Sequence, residues 1–326
     1  MGVPLRPGQV LDGVPAPALF VASGLTQYLG AAVAVGLFGQ LPAATVAWLR
    51  IVVAAAVLIV WRRPWRTRWE RADLRAIARF GLVLAGMNVA FYIAIDHLPL
   101  GTAVAIEFLG PVAVVAVTGR GWRERAAIVP AAVGVALLAG VTLRTQGGRS
   151  VVVGLVAILA AAALWAGYIV LGRRVANRGA HGQGVTSLGL AMAVGGLIFA
   201  PFLARGALPV LHDVRLAGLV VVIAVFSSVV PYAVEQVVLR RVSAATFAVL
   251  LALLPATAAV VGAVTLRQLP QWLDLVGLLL VSCAIALTSL RGTGPVRRAR
   301  RRARTDPAAP TGSDGPDRPG SPDASA

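Results

Sequence analysis

Apolar runs follow one another along almost the whole chain, separated by short polar connections. A membrane-spanning helix needs about 20 mostly apolar residues, and ten runs approach or reach that length. Because the connections are short, neighbouring helices are expected to pack antiparallel. The pattern predicts an all-α integral membrane protein with ten transmembrane helices, at 17–37, 43–61, 77–96, 99–119, 124–143, 151–171, 185–204, 214–234, 243–265 and 270–290.

Composition and charge support this prediction. Of the 326 residues, 58% are hydrophobic and only 13% are charged, against about 25% charged in soluble domains. The net charge is +17, which in a soluble protein would suggest a nucleic-acid partner. Here the basic residues are all arginines that lie mostly between the apolar runs, so membrane topology explains them better, and no nucleic-acid partner is predicted.

The arginines also predict an orientation. Alternate connections and the two termini hold 24 arginines, whereas the other connections hold five. Since basic residues favour the cytoplasmic side, both termini are expected in the cytoplasm. Residues 1–16 are then a cytoplasmic N-terminal segment, and 291–326 a basic and then disordered cytoplasmic tail.

A weak internal repeat divides the membrane region. The sequence AVAIEFLGPVAVVAV around Pro111 has a counterpart in FAVLLALLPATAAVVGAV around Pro255. Each half, 17–143 and 151–290, would hold five helices. Because five is odd, the second half would enter the membrane in the opposite sense, which gives two inverted five-helix repeats.

One glutamate lies deep in an apolar run. Glu107 stands near the middle of 99–119, where a carboxylate costs roughly 2.5–3.5 kcal/mol on insertion scales. Pro111 follows four residues later and leaves the carbonyl of residue 107 without its helical donor. This turn is therefore the first candidate for a place where a polar solute or a proton is handled.

Arg50 is a basic residue that lies inside an apolar run, at a depth similar to that of Glu107. Counted from the same side of the membrane, Arg50 and Glu107 each lie seven or eight residues into their helices, roughly 11–12 Å deep at 1.5 Å per residue. One interpretation is a structural ion pair that fixes helix register. The other is functional: Arg50 receives a substrate carboxylate, and Glu107 receives its ammonium group or takes up a proton.

Further polar residues inside the runs are candidates for the same site. Any one of them is more often a contact between helices than a ligand, but convergence on one cavity would form a binding site. Glu235, near Arg240 and Arg241, is alternatively a salt bridge at the end of its helix. The predicted substrate or proton site comprises Glu107, Arg50, Gln27, Asn88, Tyr92, Trp165, Tyr168, Tyr232 and Glu235, with Tyr28, Ser227 and Ser228 as further polar candidates.

Three stretches carry a family resemblance. NVAFYIAIDHLPLGTAVAIEFLGP at 88–111, WAGYIVLGRR at 165–174 and SSVVPYAVEQVVLRRVSAATFAVLLALLPATAAVVG at 227–262 resemble the EamA-domain branch of the drug/metabolite transporter superfamily, above all its threonine/homoserine exporters. The resemblance implies two inverted five-helix repeats in a bacterial inner membrane. It also implies export of small amino acids or related metabolites by proton antiport.

The chain departs from that family's pattern at a few positions. Such exporters usually carry an acidic residue directly before the second-half proline, where this chain has Leu254. They often carry a glutamate after the fourth and ninth helices, where Arg120 and Arg267–Gln268 stand here. Substrate and proton stoichiometry can therefore differ from those of the family.

Other function classes are less well supported. Paired carboxylates, metal-ligand spacings and lysine-containing phosphate loops are lacking, so neither enzymatic activity nor a cofactor or metal is predicted. A transporter of a different cargo, and less so a membrane protein without transport activity, stay open as alternatives. The expected partners are a small amino acid or metabolite, protons and the lipid bilayer, and the oligomeric state stays open.

Overall fold

The computed structural model of this protein describes residues 15–119, 121–178, 184–231 and 250–289, together with positions 234, 238, 242 and 246. Tyr232, Glu235, most of the predicted N-terminal segment and the whole predicted tail lie outside the described residues. The start of the predicted ninth helix also lies outside them.

The described part of the chain is all-helical. Two 3₁₀ turns, at Pro64–Arg66 and Ala204–Ala207, and a π turn at Val225–Val229 accompany the α-helices. The α-helices are α1 Ala16–Leu37, α2 Ala43–Arg62, α3 Arg71–His97, α4 Leu100–Glu107, α5 Leu109–Thr118, α6 Trp122–Ala126, α7 Ile128–Thr145, α8 Gly148–Arg178, α9 Gly184–Leu203, α10 Leu208–His212, α11 Val214–Ala224, α12 Leu254–Leu266 and α13 Trp272–Ser289.

These helices form ten apolar segments, here called spans 1 to 10. Within the described residues, seven are long and apolar enough to cross a membrane, and three shorter apolar helices, Val214–Val229, Leu254–Leu266 and Trp272–Thr288, follow them. Spans 1, 2, 3, 6, 7, 9 and 10 are α1, α2, α3, α8, α9, α12 and α13; span 4 joins α4 with α5, span 5 joins α6 with α7, and span 8 is α11 with the π turn.

The predicted runs match these segments, and the largest differences lie at helix ends. Span 3 begins at Arg71 rather than at 77, and span 6 continues to Arg178 rather than 171. At the start of span 3, Glu70 and Asp73 form a capping box, each side chain bonding the other residue's backbone N–H. Hydropathy identifies only the apolar part of a helix. Backbone hydrogen bonds and capping residues extend the helix beyond that part into polar sequence.

Span 4 lies inside the bundle. Leu100 and the six residues that follow it are all buried, which is typical of a helix enclosed by protein on every side. Its first turn is capped from far along the chain, because the Leu100 N–H donates to Oε1 of Gln268 at 2.9 Å. The span is interrupted at Phe108, between α4 and α5.

Most of the packed helix pairs join spans that are distant in the sequence. Span 3 packs on spans 6 and 7, and span 8 packs on spans 1 and 2. Span 4 packs on spans 6 and 9, and span 1 packs on span 9. Spans 2 and 7, and spans 5 and 10, also pack on each other, as do the sequential spans 2 and 3. The bundle therefore interleaves the two halves of the sequence.

Glycines allow several of these helices to touch backbone to backbone. A Cβ added at Gly81 would collide with the carbonyl oxygen of Ala191, and one at Gly195 with that of Gly81. Between spans 5 and 10, a Cβ at Gly134 would lie 2.8 Å from the carbonyl oxygen of Gly277, and the reverse distance is 3.0 Å. Small residues are what permit such close crossings in lipid.

Replacing Gly81 with alanine tests the crossing of spans 3 and 7. The added methyl group has no room against Ala191, so we expect the variant to lose about 1–3 kcal/mol of stability. Thermal unfolding of the purified protein in detergent measures this loss. Gly140→Ala is the matched control, because nothing lies within 4 Å of its added Cβ. Equal unfolding temperatures for the two variants would contradict the close crossing.

Candidate functional site

A polar cavity of about 180 Å³ lies among spans 1, 2, 3, 4, 6, 8 and 9. Its wall combines aromatic and aliphatic side chains with a small number of polar ones, the usual composition of a ligand site. The lining residues are Gln27, Tyr28, Arg50, Met87, Asn88, Phe91, Glu107, Phe108, Trp165, Tyr168, Ser227, Ser228, Pro231, Leu251 and Leu254.

The two intramembrane charges reach this cavity from similar depths. Arg50 is the eighth residue of α2 and Glu107 is the eighth and last residue of α4. At 1.5 Å per residue, each lies roughly 11 Å from the start of its helix. Arg50 is only 8% exposed, so its charge is held inside the protein and not among lipid tails.

Arg50 is held by neutral partners. One of its terminal nitrogens, Nη2, donates to Oδ1 of Asn88, and Asn88 in turn donates from Nδ2 to the carbonyl of Leu84 at 2.7 Å. The guanidinium carbon lies 4.8 Å from the ring centroid of Tyr92, within cation–π range. These contacts fix the guanidinium while its Nε has no hydrogen-bond partner among the described residues.

Glu107 also lines the cavity without an ion pair. Neither an ion pair within 4.0 Å nor a hydrogen bond joins its carboxylate to another described residue. Arg50 and Glu107 therefore do not form the direct ion pair that one interpretation of the sequence predicted. Both groups are available to a ligand between them.

Aromatic contacts fix the wall beside Glu107. Trp165 meets Phe108 edge to face, with ring centroids 4.8 Å apart, and Tyr168 stacks on Phe80 at 4.9 Å. Both distances lie in the favourable range for aromatic pairs. Trp165 and Tyr168 thus keep defined positions in span 6.

Three prolines weaken helical hydrogen bonding around the cavity. Because proline lacks an N–H, it leaves the carbonyl four residues earlier without its usual donor. Pro111, Pro231 and Pro255 stand four residues after Glu107, Ser227 and Leu251, all of which line the cavity. The chain is interrupted at Phe108 in span 4 and at Ala252–Leu253 before span 9, and span 8 contains the π turn. Interrupted helices in membranes usually border cavities.

The structure brings together most of the predicted site residues that it describes. Arg50, Glu107 and four others line the cavity, whereas Tyr92 lies behind Arg50 and is fully buried. The four others are Gln27, Asn88, Trp165 and Tyr168.

Several lining residues escaped sequence reasoning because they are apolar. Met87, Phe91 and Leu251 carry no polar signal among many similar residues, and Phe108 could have been suggested only by its place beside Glu107. Leu254, where the family pattern carries an acid, also lines the cavity. Among the described lining residues, Glu107 is therefore the single carboxylate.

A second cavity, of about 350 Å³, lies at the ends of spans 4, 5, 9 and 10, and includes Thr142, Gln268 and Asp274. It is larger, but neither Arg50 nor Glu107 reaches it. We assign the candidate site to the smaller cavity because it contains both intramembrane charges. Within the described part of the chain, no group of three or more His, Cys, Asp or Glu side chains could hold a metal ion.

Apolar helices of membrane-spanning length around a buried cavity define a multi-pass membrane protein. The EamA-like transporter family model matches residues 152–290. The threonine/homoserine exporters RhtA of Salmonella typhimurium (strains SL1344 and LT2) and of Escherichia coli K12 are each 33% identical over 285 residues, covering 87% of this chain and 93% of each relative. The chain belongs to the EamA-like transporter family.

This membership confirms the resemblance seen in the sequence and the prediction that the chain is not an enzyme. A protein of known crystal structure is also similar, with a TM-score of 0.52 and 18% identity over 85% of this chain and 98% of the other. That likeness shows a shared fold.

The contact between Arg50 and Asn88 can be tested by a double-mutant cycle. Asn88→Leu removes the acceptor of a buried charged donor, and we expect a loss of about 2–3 kcal/mol in stability. Replacing both residues, as Arg50→Met with Asn88→Leu, should restore most of that loss because no donor is left unpaired. Unfolding temperatures in detergent measure the coupling, and strictly additive effects would contradict the contact.

Proposed function

We propose that this protein exports small amino acids of the threonine/homoserine kind, or related metabolites, in exchange for protons. The observation that carries the proposal is that Arg50 and Glu107 line one cavity without pairing with each other. A free amino acid carries a carboxylate and an ammonium group, the charges that complement this pair. The relatives named threonine/homoserine exporters support the same substrate class.

Arg50 is proposed to bind the substrate carboxylate. Its Nε is buried without a partner among the described residues, and guanidinium groups bind carboxylates through directed, charge-assisted hydrogen bonds. The contacts with Asn88 and Tyr92 hold the group in place before the substrate arrives. Less conformational entropy is then lost on binding.

Glu107 is proposed to bind either the ammonium group or a proton. The two cations compete for one carboxylate, so protonation of Glu107 weakens substrate binding and deprotonation strengthens it. Such competition at a single site is enough to couple export to proton uptake. Leu254 stands where the family pattern carries an acidic residue before the second-half proline. This role is therefore left to Glu107 among the described lining residues.

The size of the cavity favours a small cargo. Pockets for drug-sized ligands measure about 300–1,000 Å³, whereas this cavity holds about 180 Å³. An amino acid fits such a volume better than a drug or a lipid-linked intermediate does. This argues against the alternative cargoes that the sequence left open.

We further propose that residues 17–143 and 151–290 are inverted repeats. In such a repeat, span 1 corresponds to span 6, span 2 to span 7, and so on to spans 5 and 10. Under this correspondence the packing of spans 3 and 6 matches that of 8 and 1, the packing of 3 and 7 matches that of 8 and 2, and the packing of 1 and 9 matches that of 6 and 4. The packed pairs 2–7, 4–9 and 5–10 each join two corresponding spans. The 2–3 pair is an exception. Pro111 and Pro255 stand 144 positions apart, and Gly134 and Gly277 stand 143 apart. These regularities support a two-fold relation between the halves.

The arginine distribution supports a cytoplasmic position for both termini in a bacterial inner membrane. In that orientation spans 2 and 4 begin at the outer surface. The site then lies near mid-membrane, where alternating access requires it.

Glu107→Gln tests the proton coupling. The amide keeps the shape of the side chain but cannot take up a proton, so we expect pH-gradient-driven flux of labelled threonine in proteoliposomes to be abolished. Glu124→Gln is the matched control because Glu124 is absent from the cavity lining. A Glu107→Gln variant with wild-type flux under the same gradient would refute the proposed coupling.

Arg50→Ala tests carboxylate recognition. The wild-type protein should bind threonine at least tenfold more tightly than threonine amide, because only the former offers a carboxylate. In Arg50→Ala we expect this preference to fall to about twofold or less. Competition against labelled threonine during counterflow measures both ratios. If the preference persists in the variant, Arg50 has a structural role only.

A further inference from the structure

The polar side chains of the cavity wall differ in whether they already have partners. Asn88 bonds both Arg50 and Leu84, and the Ser227 hydroxyl donates to the carbonyl of Gln27 at 3.2 Å. By contrast, the Ser228 hydroxyl and the Gln27 side-chain amide bond none of the described residues. Ser228 is only 3% exposed. A hydroxyl that lines a cavity without such a partner is available to donate to or accept from a ligand there.

The two adjacent serines of the cavity wall lie in the π turn of span 8. Ser227 and Ser228 both line this wall. The N–H of Val230 donates to the carbonyl of Val225, which closes a wider turn. Such turns are frequent at functional sites.

The two serines have different surroundings. Ser227 packs closely on span 1, since a Cβ at Gly30 would collide with the Ser227 hydroxyl. Its side chain therefore joins spans 1 and 8. Ser228 makes no comparable hydrogen bond to a residue that the structure describes, and it lines the cavity.

We propose that Ser228, together with the side-chain amide of Gln27, binds the side-chain hydroxyl of the transported amino acid. This inference rests on the proposed function, in which Arg50 and Glu107 bind the two charged groups of the substrate. Ser228 and Gln27 each offer a donor and an acceptor, so they can satisfy a hydroxyl in either role.

This arrangement makes the hydroxyl a determinant of specificity. When a substrate lacks the hydroxyl, the polar groups built to receive it stay buried and unpaired, and the analogue is rejected more strongly than its lost contact alone would require. Valine, which replaces the threonine hydroxyl with a methyl group of similar size, is the analogue that isolates the effect.

The test is competition of unlabelled threonine and valine against labelled threonine in proteoliposome counterflow. We expect the wild-type protein to prefer threonine by tenfold or more. In Ser228→Ala the preference should fall about tenfold, through weaker binding of threonine and with valine binding unchanged. Where this variant does not insert, Ser228→Cys replaces it, with the same expected direction because a thiol is a weak donor.

Two further serines serve as comparisons. Ser187→Ala, at a buried position of span 7 outside the cavity lining, should keep the wild-type preference. Ser227→Ala should lower the unfolding temperature through the loss of the bond to Gln27, which tests the structural role of the first serine separately.

The possible failures can be distinguished. An unchanged threonine preference in Ser228→Ala, or equal binding of threonine and valine by the wild-type protein, would overturn the hydroxyl site and leave amino-acid export standing. Absence of counterflow with any amino acid would overturn the proposed function and this inference together.

Discussion

The structure depends on holding the Arg50 charge away from lipid with neutral partners. A buried cation that pairs with a carboxylate is electrically satisfied and has little left to offer a ligand. Here an amide oxygen of Asn88 and the face of the Tyr92 ring stabilise the guanidinium without neutralising it. Its positive charge therefore remains available to the cavity, which Glu107 also lines.

Close helix packing elsewhere in the bundle depends on small residues at the crossings. Glycines let spans 3 and 7, and spans 5 and 10, meet at their backbones. Where the cavity lies, prolines and the π turn interrupt helices. In a membrane such interruptions are tolerated only beside protein or a polar space. The bundle thus combines close helix crossings at glycines with interrupted helices at the cavity.

The polar side chains of the cavity wall fall into two groups, those with hydrogen-bond partners and those with unused hydrogen-bonding capacity. Residues such as Asn88 and Ser227 already have hydrogen-bond partners and fix the wall, whereas Arg50, Glu107, Ser228 and Gln27 keep unused capacity. Preorganised groups of this kind bind a ligand with a small loss of conformational entropy. They also disfavour ligands that leave any of them unpaired.

The sequence by itself determined the helical membrane class, the approximate spans and the candidate charges, because lipid imposes a length and an apolar composition that can be read locally. It also indicated the importance of Pro111, since a missing N–H is a property of one residue. Only the tertiary structure decided that Arg50 bonds Asn88 instead of Glu107, and that Leu254 and Phe108 line the cavity. Those outcomes depend on which helices pack together, and apolar side chains of one kind look alike until packing places them.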